Sequence, residues 1–290
     1  MADYLVRAID QAGNIRAFVA RTTDLVDEAR RRHDTWPTTT AALGRALTGT
    51  ALLSATLKDQ NESITLRVAG DGPVGGITCD ADEQGQVRGF PRNPHADADL
   101  NEQGKLNVAA IVGEGYLHVT RQLAVQGIYT GTAEIVSGEI GEDLAYYLTK
   151  SEQTPSAVAL GVRVAPDGSV VAAGGVLLQL LPSTGEGERE QLEANLRALG
   201  AVSRAVELGQ SPEEILGAVM AGIPYKILET RDLHFACRCS RERALSSMAT
   251  IDATDLEEMI ARDGGAELTC QFCAEVYHFS ADELRSLRAQ

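Results

Sequence analysis

The sequence predicts an α+β protein in three parts: a large mixed helix and sheet domain over residues 1–182, a metastable helical linker over 183–231, and a small zinc-binding domain over 232–290. Three observations carry this. Strand-length apolar runs bounded by Gly, Pro and Asp mix with two longer helical runs as far as Leu181. Pro182-Ser183-Thr184-Gly185-Glu186-Gly187 then suits neither strand nor helix. Four of the five cysteines fall beyond Asp232, in a segment too small to bury much apolar area without a staple.

In chain order, Tyr4 to Ile9 and Ile15 to Val19 read as strands. Thr23 or Asp24 is placed to cap a helix running through Arg32. A second helix is expected from Thr39 to Lys58, with Leu43, Leu47, Leu52 and Leu53 near one stripe. Ile64 to Val68 alternates as a strand does, and Gly70-Asp71-Gly72-Pro73 turns the chain toward a strand at Ile77 to Ala81. Tyr116 to Thr120 and Ile128 to Ile135 follow as strands, and Glu142 to Lys150 as a helix. Ala157 to Val164, Pro166-Asp167-Gly168 and Val170 to Leu181 form a hairpin signature. In the linker, Glu190 to Ala205 and Pro212 to Ala221 are helical in period. Leu192, Leu196, Leu199, Val202 and Val206 make a single stripe, which must lie on another surface because it cannot support a fold alone.

The cysteines are Cys237-Arg238-Cys239 and Cys270-Gln271-Phe272-Cys273. Two closely spaced thiol pairs suit tetrahedral zinc, one ion per chain. Ala266 to Thr269 and Glu275 to Phe279 read as strands, which puts the second pair in the turn between them. Ser280 to Glu283 has the form of a capping box before a last helix, and Thr254 to Glu257 has the same form for a helix between the pairs. A thioredoxin-like C-x-x-C belongs in a strand-to-helix setting, which this is not. Arg238, Arg241 and Arg243 bring positive charge that favours thiolate. A four-thiolate centre is oxidisable, and each sulfur entering a disulfide is lost as a ligand. Chemistry alone leaves a passive zinc staple and a redox switch equally open.

Other motifs have plainer readings. Gly70-x-Gly72-x-x-Gly75 matches a dinucleotide fingerprint formally, but a strand follows it where a helix N-terminus is required. Cys79 reads as a small core residue. His234 and His278 are candidate rivals as ligands, to which solvent or supporting roles are preferred. His33, His95 and His118 lack a nucleophile partner, so hydrolase chemistry has no foothold. Asp97-Ala98-Asp99 reads as solvated surface, and Trp36 as the anchor of a helix junction.

The net charge of −15 and pI near 4.8 work against nucleic-acid and anionic-membrane partners. Residues 237–290 hold six Arg against ten Asp and Glu, whereas a nucleic-acid zinc module would present a basic face. No signal-like opening and no apolar run of about 18 residues is evident, so a cytoplasmic location is expected.

Several segments together make the sequence resemble the redox-regulated holdase chaperones of the heat-shock protein 33 family, the 33 kDa chaperonins. They are Gly70-Asp71-Gly72-Pro73, Val87-Arg88-Gly89, Tyr129-Thr130-Gly131 and Ser151 to Ala157. Gly174-Gly175 with Gln179 to Pro182, Phe235 to Ser240, and Cys270 to Cys273 before Tyr277 complete the set. Cys79 lies outside the family's four-cysteine pattern. The resemblance implies an ATP-independent holdase and no enzymatic activity. It implies a reduced, inactive form holding Zn2+ through Cys237, Cys239, Cys270 and Cys273. Hypochlorous acid, or peroxide with heat, would then form Cys237–Cys239 and Cys270–Cys273 disulfides, release the metal and unfold the C-terminal domain and linker. The apolar surface so exposed would hold unfolding client proteins, and the oxidised chain would form a homodimer.

Overall fold

The computed structural model describes residues 1–57 and 59–287 and separates into two compact units, Met1–Ala236 and Cys237–Gln290. In the first unit the chain runs β1 (Tyr4–Asp10), β2 (Ile15–Arg21), α1 (Thr23–His33), α2 (Pro37–Ser54), β3 (Ser63–Gly70), β4 (Ile77–Asp82), β5 (Gln86–Pro91), α3 (Val108–Val112), β6 (Gly115–Leu123) and β7 (Gly127–Glu134). It continues through α4 (Gly141–Lys150), β8 (Ser156–Val164), β9 (Val170–Leu180), α5 (Glu186–Leu199), α6 (Val202–Glu207), α7 (Pro212–Val219), β10 (Tyr225–Asp232) and β11 (His234–Phe235). The second unit holds α8 (Arg241–Met248), α9 (Ala253–Asp263), β12 (Gly265–Thr269), β13 (Val276–Ser280) and α10 (Ala281–Ser286). The expected α+β class holds.

Two sheets organise the first unit. One is antiparallel, in the order β10-β1-β2-β9-β8; the other runs β11-β5-β4-β3-β6-β7, with β11 parallel to β5. Helix α2 packs against strands of both. Thr38 to Leu43 and Ala46 to Ser54 are all buried, so the expected leucine stripe is instead a helix without a wet side. Its hydroxyls turn inward: Thr48 Oγ1 donates to Gly44 O and Thr50 Oγ1 to Ala46 O, each at 2.7 Å. The helix starts at Pro37, two residues before the expected Thr39, because proline is favoured in a first turn. It ends at Ser54, and the expected terminus Lys58 lies outside the described residues.

The central strands of the first sheet, β1, β2 and β9, are buried on both faces. Alternation in β1, β2 and β9 sends Leu5, Phe18, Ala20, Ala173 and Leu177 toward α2. Val6, Ala8, Ile15, Ala17, Val19, Ala172, Val176 and Leu178 point the other way, into a second core with Leu192, Val202, Val206, Ile215 and Val219. The linker helices therefore rest on this sheet, as their single stripe requires. Residues 225–231, expected to end the helical linker, are strand β10, paired antiparallel to the edge of β1. His234–Phe235 is likewise sheet, so the division falls after Ala236 where Asp232 was expected.

Local details correct other expectations. Helix α1 is preceded by Thr22, whose hydroxyl is taken by Thr48 Oγ1 at 2.7 Å, and neither Thr23 nor Asp24 caps it. Asp3 does so from the start of the neighbouring strand, its carboxylate accepting from Leu25 N at 2.7 Å. Trp36 is half exposed and stands against His95, which anchors no junction. Asp97 is partly engaged, accepting from the Thr38 hydroxyl. Gly70 and Gly72 serve packing: a Cβ on either would lie 1.9 or 2.4 Å from a carbonyl oxygen of α3. Among the described residues no helix is long and apolar enough to cross a membrane.

Candidate metal centre

Each thiol pair is set by its own local device. Cys270 and Cys273 occupy the turn of the β12–β13 hairpin, whose register runs from Gly265↔Ser280 to Thr269↔Val276. Cys270 N donates to Glu275 O at 2.9 Å and Ala274 N to Cys270 O at 2.8 Å, with Ala274 at φ 58°. An alanine in the left-handed region costs about 1 kcal/mol, and here it folds the knuckle so that both sulfurs face one side. Cys237 and Cys239 lie in the segment before α8, which Ser240 caps by accepting from Arg243 N at 3.2 Å.

The fold brings all four sulfurs within 4.8 Å of one another. Cys237 Sγ stands 3.7 Å from Cys270 Sγ, and Cys239 Sγ 3.3 Å from Cys273 Sγ. A tetrahedron with metal–sulfur bonds of about 2.3 Å places its sulfurs about 3.8 Å apart. The donor set and its spacing therefore suit a zinc-sized, thiophilic cation. Among the described residues no disulfide joins any of the five cysteines.

Burial pushes the Cys270 and Cys273 thiols up from their ordinary value, and for Cys273 the neighbouring thiols add to this. A bound divalent cation inverts that preference, since it needs the deprotonated sulfurs. Of the arginines expected to favour thiolate, Arg241 and Arg243 are engaged by other groups. Arg241 Nη1 donates to His278 O at 2.7 Å, Arg241 Nη2 pairs with Glu283 at 2.5 Å, and the guanidinium lies 4.6 Å from the Phe279 ring centre. Arg243 donates to Arg238 O at 2.7 Å. Arg241 thereby ties α8 to β13 and α10, and Arg243 ties it to the segment carrying the first thiol pair.

His278 is exposed, 3.4 Å from Glu267, and His234 belongs to the first unit, so neither joins the cluster. Cys79 is fully buried in the first core, its thiol pushed well up by desolvation and then by Asp80. One contributor carried no role in the sequence reading. Tyr277 Oη donates to Cys239 Sγ at 3.2 Å, and this bond is the main reason its phenol resists ionisation. Its position four residues after Cys273, on the returning strand, was the available signal. Helix α9 also starts earlier than expected, at Ala253, capped by Asp252, whose carboxylate accepts from Thr254 N at 2.9 Å. The Ser280 capping box is present as expected.

Fold and site together define a two-unit protein in which a small thiolate module follows a large two-sheet domain. The profile of the Hsp33 protein family matches residues 3–280. The 33 kDa chaperonin of Symbiobacterium thermophilum is 68% identical over 284 residues, covering 98% of this chain and 96% of that one. That of Desulforamulus reducens is 48% identical over 287 residues, covering 99% and 97%. The crystal structure of the 33 kDa chaperonin (heat shock protein 33 homolog) from Thermotoga maritima superposes with a TM-score of 0.93 at 34% identity, covering 99% of this chain and 98% of that one. The chain belongs to the Hsp33 family of chaperones, which are holdases and not enzymes, and which bind unfolded client proteins.

Proposed function

We propose that the chain is a cytoplasmic, ATP-independent holdase switched on by oxidation of Cys237, Cys239, Cys270 and Cys273. The observation that carries this is the convergence of four thiols in a unit whose own buried core is small. In the reduced, inactive form these four residues hold one Zn2+, which supplies a cross-link of about 10–16 kcal/mol to a domain of this size. Tyr277 steadies Cys239 through its hydroxyl.

Oxidation removes the donors. Two thiols and one hypochlorous acid give one disulfide, water, chloride and a proton. The pairing we favour is Cys237–Cys239 and Cys270–Cys273. Disulfides so local close almost no loop and leave the rest of residues 237–290 free to unfold. Cross-paired bonds, Cys237–Cys270 and Cys239–Cys273, would span 33 and 34 residues and keep the unit stapled. Because β10 and β11 lead directly into Cys237, loss of the second unit loosens the chain that anchors α5–α7. Undocking then bares the sheet face carrying Val6, Ile15, Val19, Val176 and Leu178 for clients, and the oxidised chain dimerises.

The test follows zinc release and suppression of client aggregation on one sample, before and after brief hypochlorous acid treatment, with disulfides mapped by non-reducing peptide analysis. Zinc loss with a gain in holdase activity, reversed by reductant plus zinc, is the expected result. Zinc retention, or zinc loss without that gain, reduces the centre to a structural staple.

A further inference from the structure

The first unit also carries a cleft of about 790 Å³, remote in sequence from the thiols. Its walls come from the start of α2, the loop at residues 100–106, the end of β8 with the following turn, and the start of α6. Four cations line it, Arg45, Lys105, Arg163 and Arg204, and among the described residues no carboxylate does. In a chain with 41 acidic and 26 basic residues, that segregation runs against composition.

The cations are only partly neutralised. Arg45 pairs with Glu139, while Arg163 and Arg204 share the single carboxylate of Glu207 at 3.2 and 2.6 Å. Lys105 makes no ion pair among the described residues, and Arg45 Nε is buried without a hydrogen-bond partner. Between these charges Leu100, Leu160 and Val162 present apolar surface, with Leu100 59% exposed. At Gly161 a Cβ would lie 2.7 Å from Ser203 N, so the bare glycine is what lets α6 close against β8 beside the cleft.

We propose that this cleft binds a small amphipathic monoanion, a carboxylate on an aliphatic chain of medium length. The volume falls in the range of small-molecule sites, which run from about 300 to 1,000 Å³ and combine apolar walls with a few placed polar groups. The carboxylate satisfies the surplus positive charge, and the chain covers Leu100 and Val162. Inorganic phosphate meets only the first need and a neutral alcohol only the second. Because the walls come from both α2 and α6, an occupant binds the docked linker in preference to the undocked one and stabilises docking by mass action. The cleft is lined wholly by residues of the first unit.

The experiment is calorimetric titration of sodium decanoate into the full-length, reduced, zinc-supplemented protein, with 1-decanol and inorganic phosphate in parallel. We expect saturable one-site binding of decanoate, at least about tenfold weaker binding of decanol, and none of phosphate. Lys105→Glu with Arg204→Glu should weaken decanoate at least about tenfold, and Lys105→Arg should leave it within about twofold. Both side chains are exposed, and Lys105→Glu alone decides the matter if the double variant misfolds. Unchanged affinity in the glutamate variants, decanol binding as tightly as decanoate, or no saturation up to about 1 mM would each overturn the proposal.

Discussion

In the first unit, α2 is buried along nearly its whole length between two sheets, and the central strands of the sheet under the linker are buried on both faces. In the second, the buried apolar cluster among the described residues is Ala244, Met248, Leu256, Ile260, Phe279 and Leu284, spread over three helices and one strand. At about 25 cal/mol per Å² of apolar area, the first arrangement has ample burial to oppose chain entropy and the second has little. On the function proposed above, the second unit depends on its four sulfurs in a way the first depends on no single group. A switch needs such an element, whose stability hangs on a chemistry that an oxidant reaches.

The largest effect should come from taking that chemistry away. Chelation of the metal, or Cys270→Ser with Cys273→Ser, should unfold residues 237–290 and loosen the linker helices, while residues 1–182 keep their protease resistance, read by limited proteolysis and mass spectrometry. The mirror experiment is Leu47→Ala, which empties part of the α2 core. It should cost about 2–5 kcal/mol by urea unfolding and leave metal stoichiometry intact. If the cysteine variant keeps the second unit folded, the contrast drawn between the units fails.

How far this was legible in the sequence follows the same division. The thiol pairs, the β12–β13 hairpin and the Ser280 cap depend on residues close in sequence, and they stand where spacing placed them. The burial of α2 was not legible, because it comes from a second sheet folding over a face that local periodicity leaves open. Strand β10 was hidden for a related reason. Tyr225 to Asp232 is largely exposed and shows no apolar alternation, so only pairing with the β1 edge makes it strand. Asp3 as the partner of Leu25 N and Tyr277 as the partner of Cys239 are long-range hydrogen bonds that no window along the chain reveals.

A smaller effect tests the rigidity of the first unit through Asp3. Burial raises its pKa from 3.8 to about 6, outweighing the Leu25 N–H bond and the Arg21 pair that pull it down. The raised value means the folded state prefers the protonated carboxyl. The stabilisation is complete below about pH 4 and is lost as pH rises through about 6, with a slope of at most about 1.4 kcal/mol per pH unit. Asp3→Asn removes this proton. The difference in unfolding free energy between wild type and variant should therefore shift against wild type between pH 4 and 7. A difference that is flat across that range would mean Asp3 is well solvated or fully paired.

The finest distinction lies inside the linker, which shares the first unit's core yet is the part we propose to let go. Asn195 on α5 is 9% exposed, and its Nδ2 donates to Val219 O at 2.8 Å and Ala221 O at 2.9 Å, while Gln191 Nε2 donates to its Oδ1 at 2.9 Å. One amide thus ties α5 to the end of α7, so the helices should leave the sheet together. Asn195→Ala strips both carbonyls of their donor, a loss of about 1–3 kcal/mol for buried groups. Asn195→Asp keeps the size but aims a carboxylate at those carbonyls, and should cost more. Hydrogen exchange in the reduced protein should quicken across residues 186–223 in both variants, with the β12–β13 hairpin unchanged. Quickening confined to α5 would show that the helices undock one at a time, and the amide would then be a local bond and not the latch of the linker.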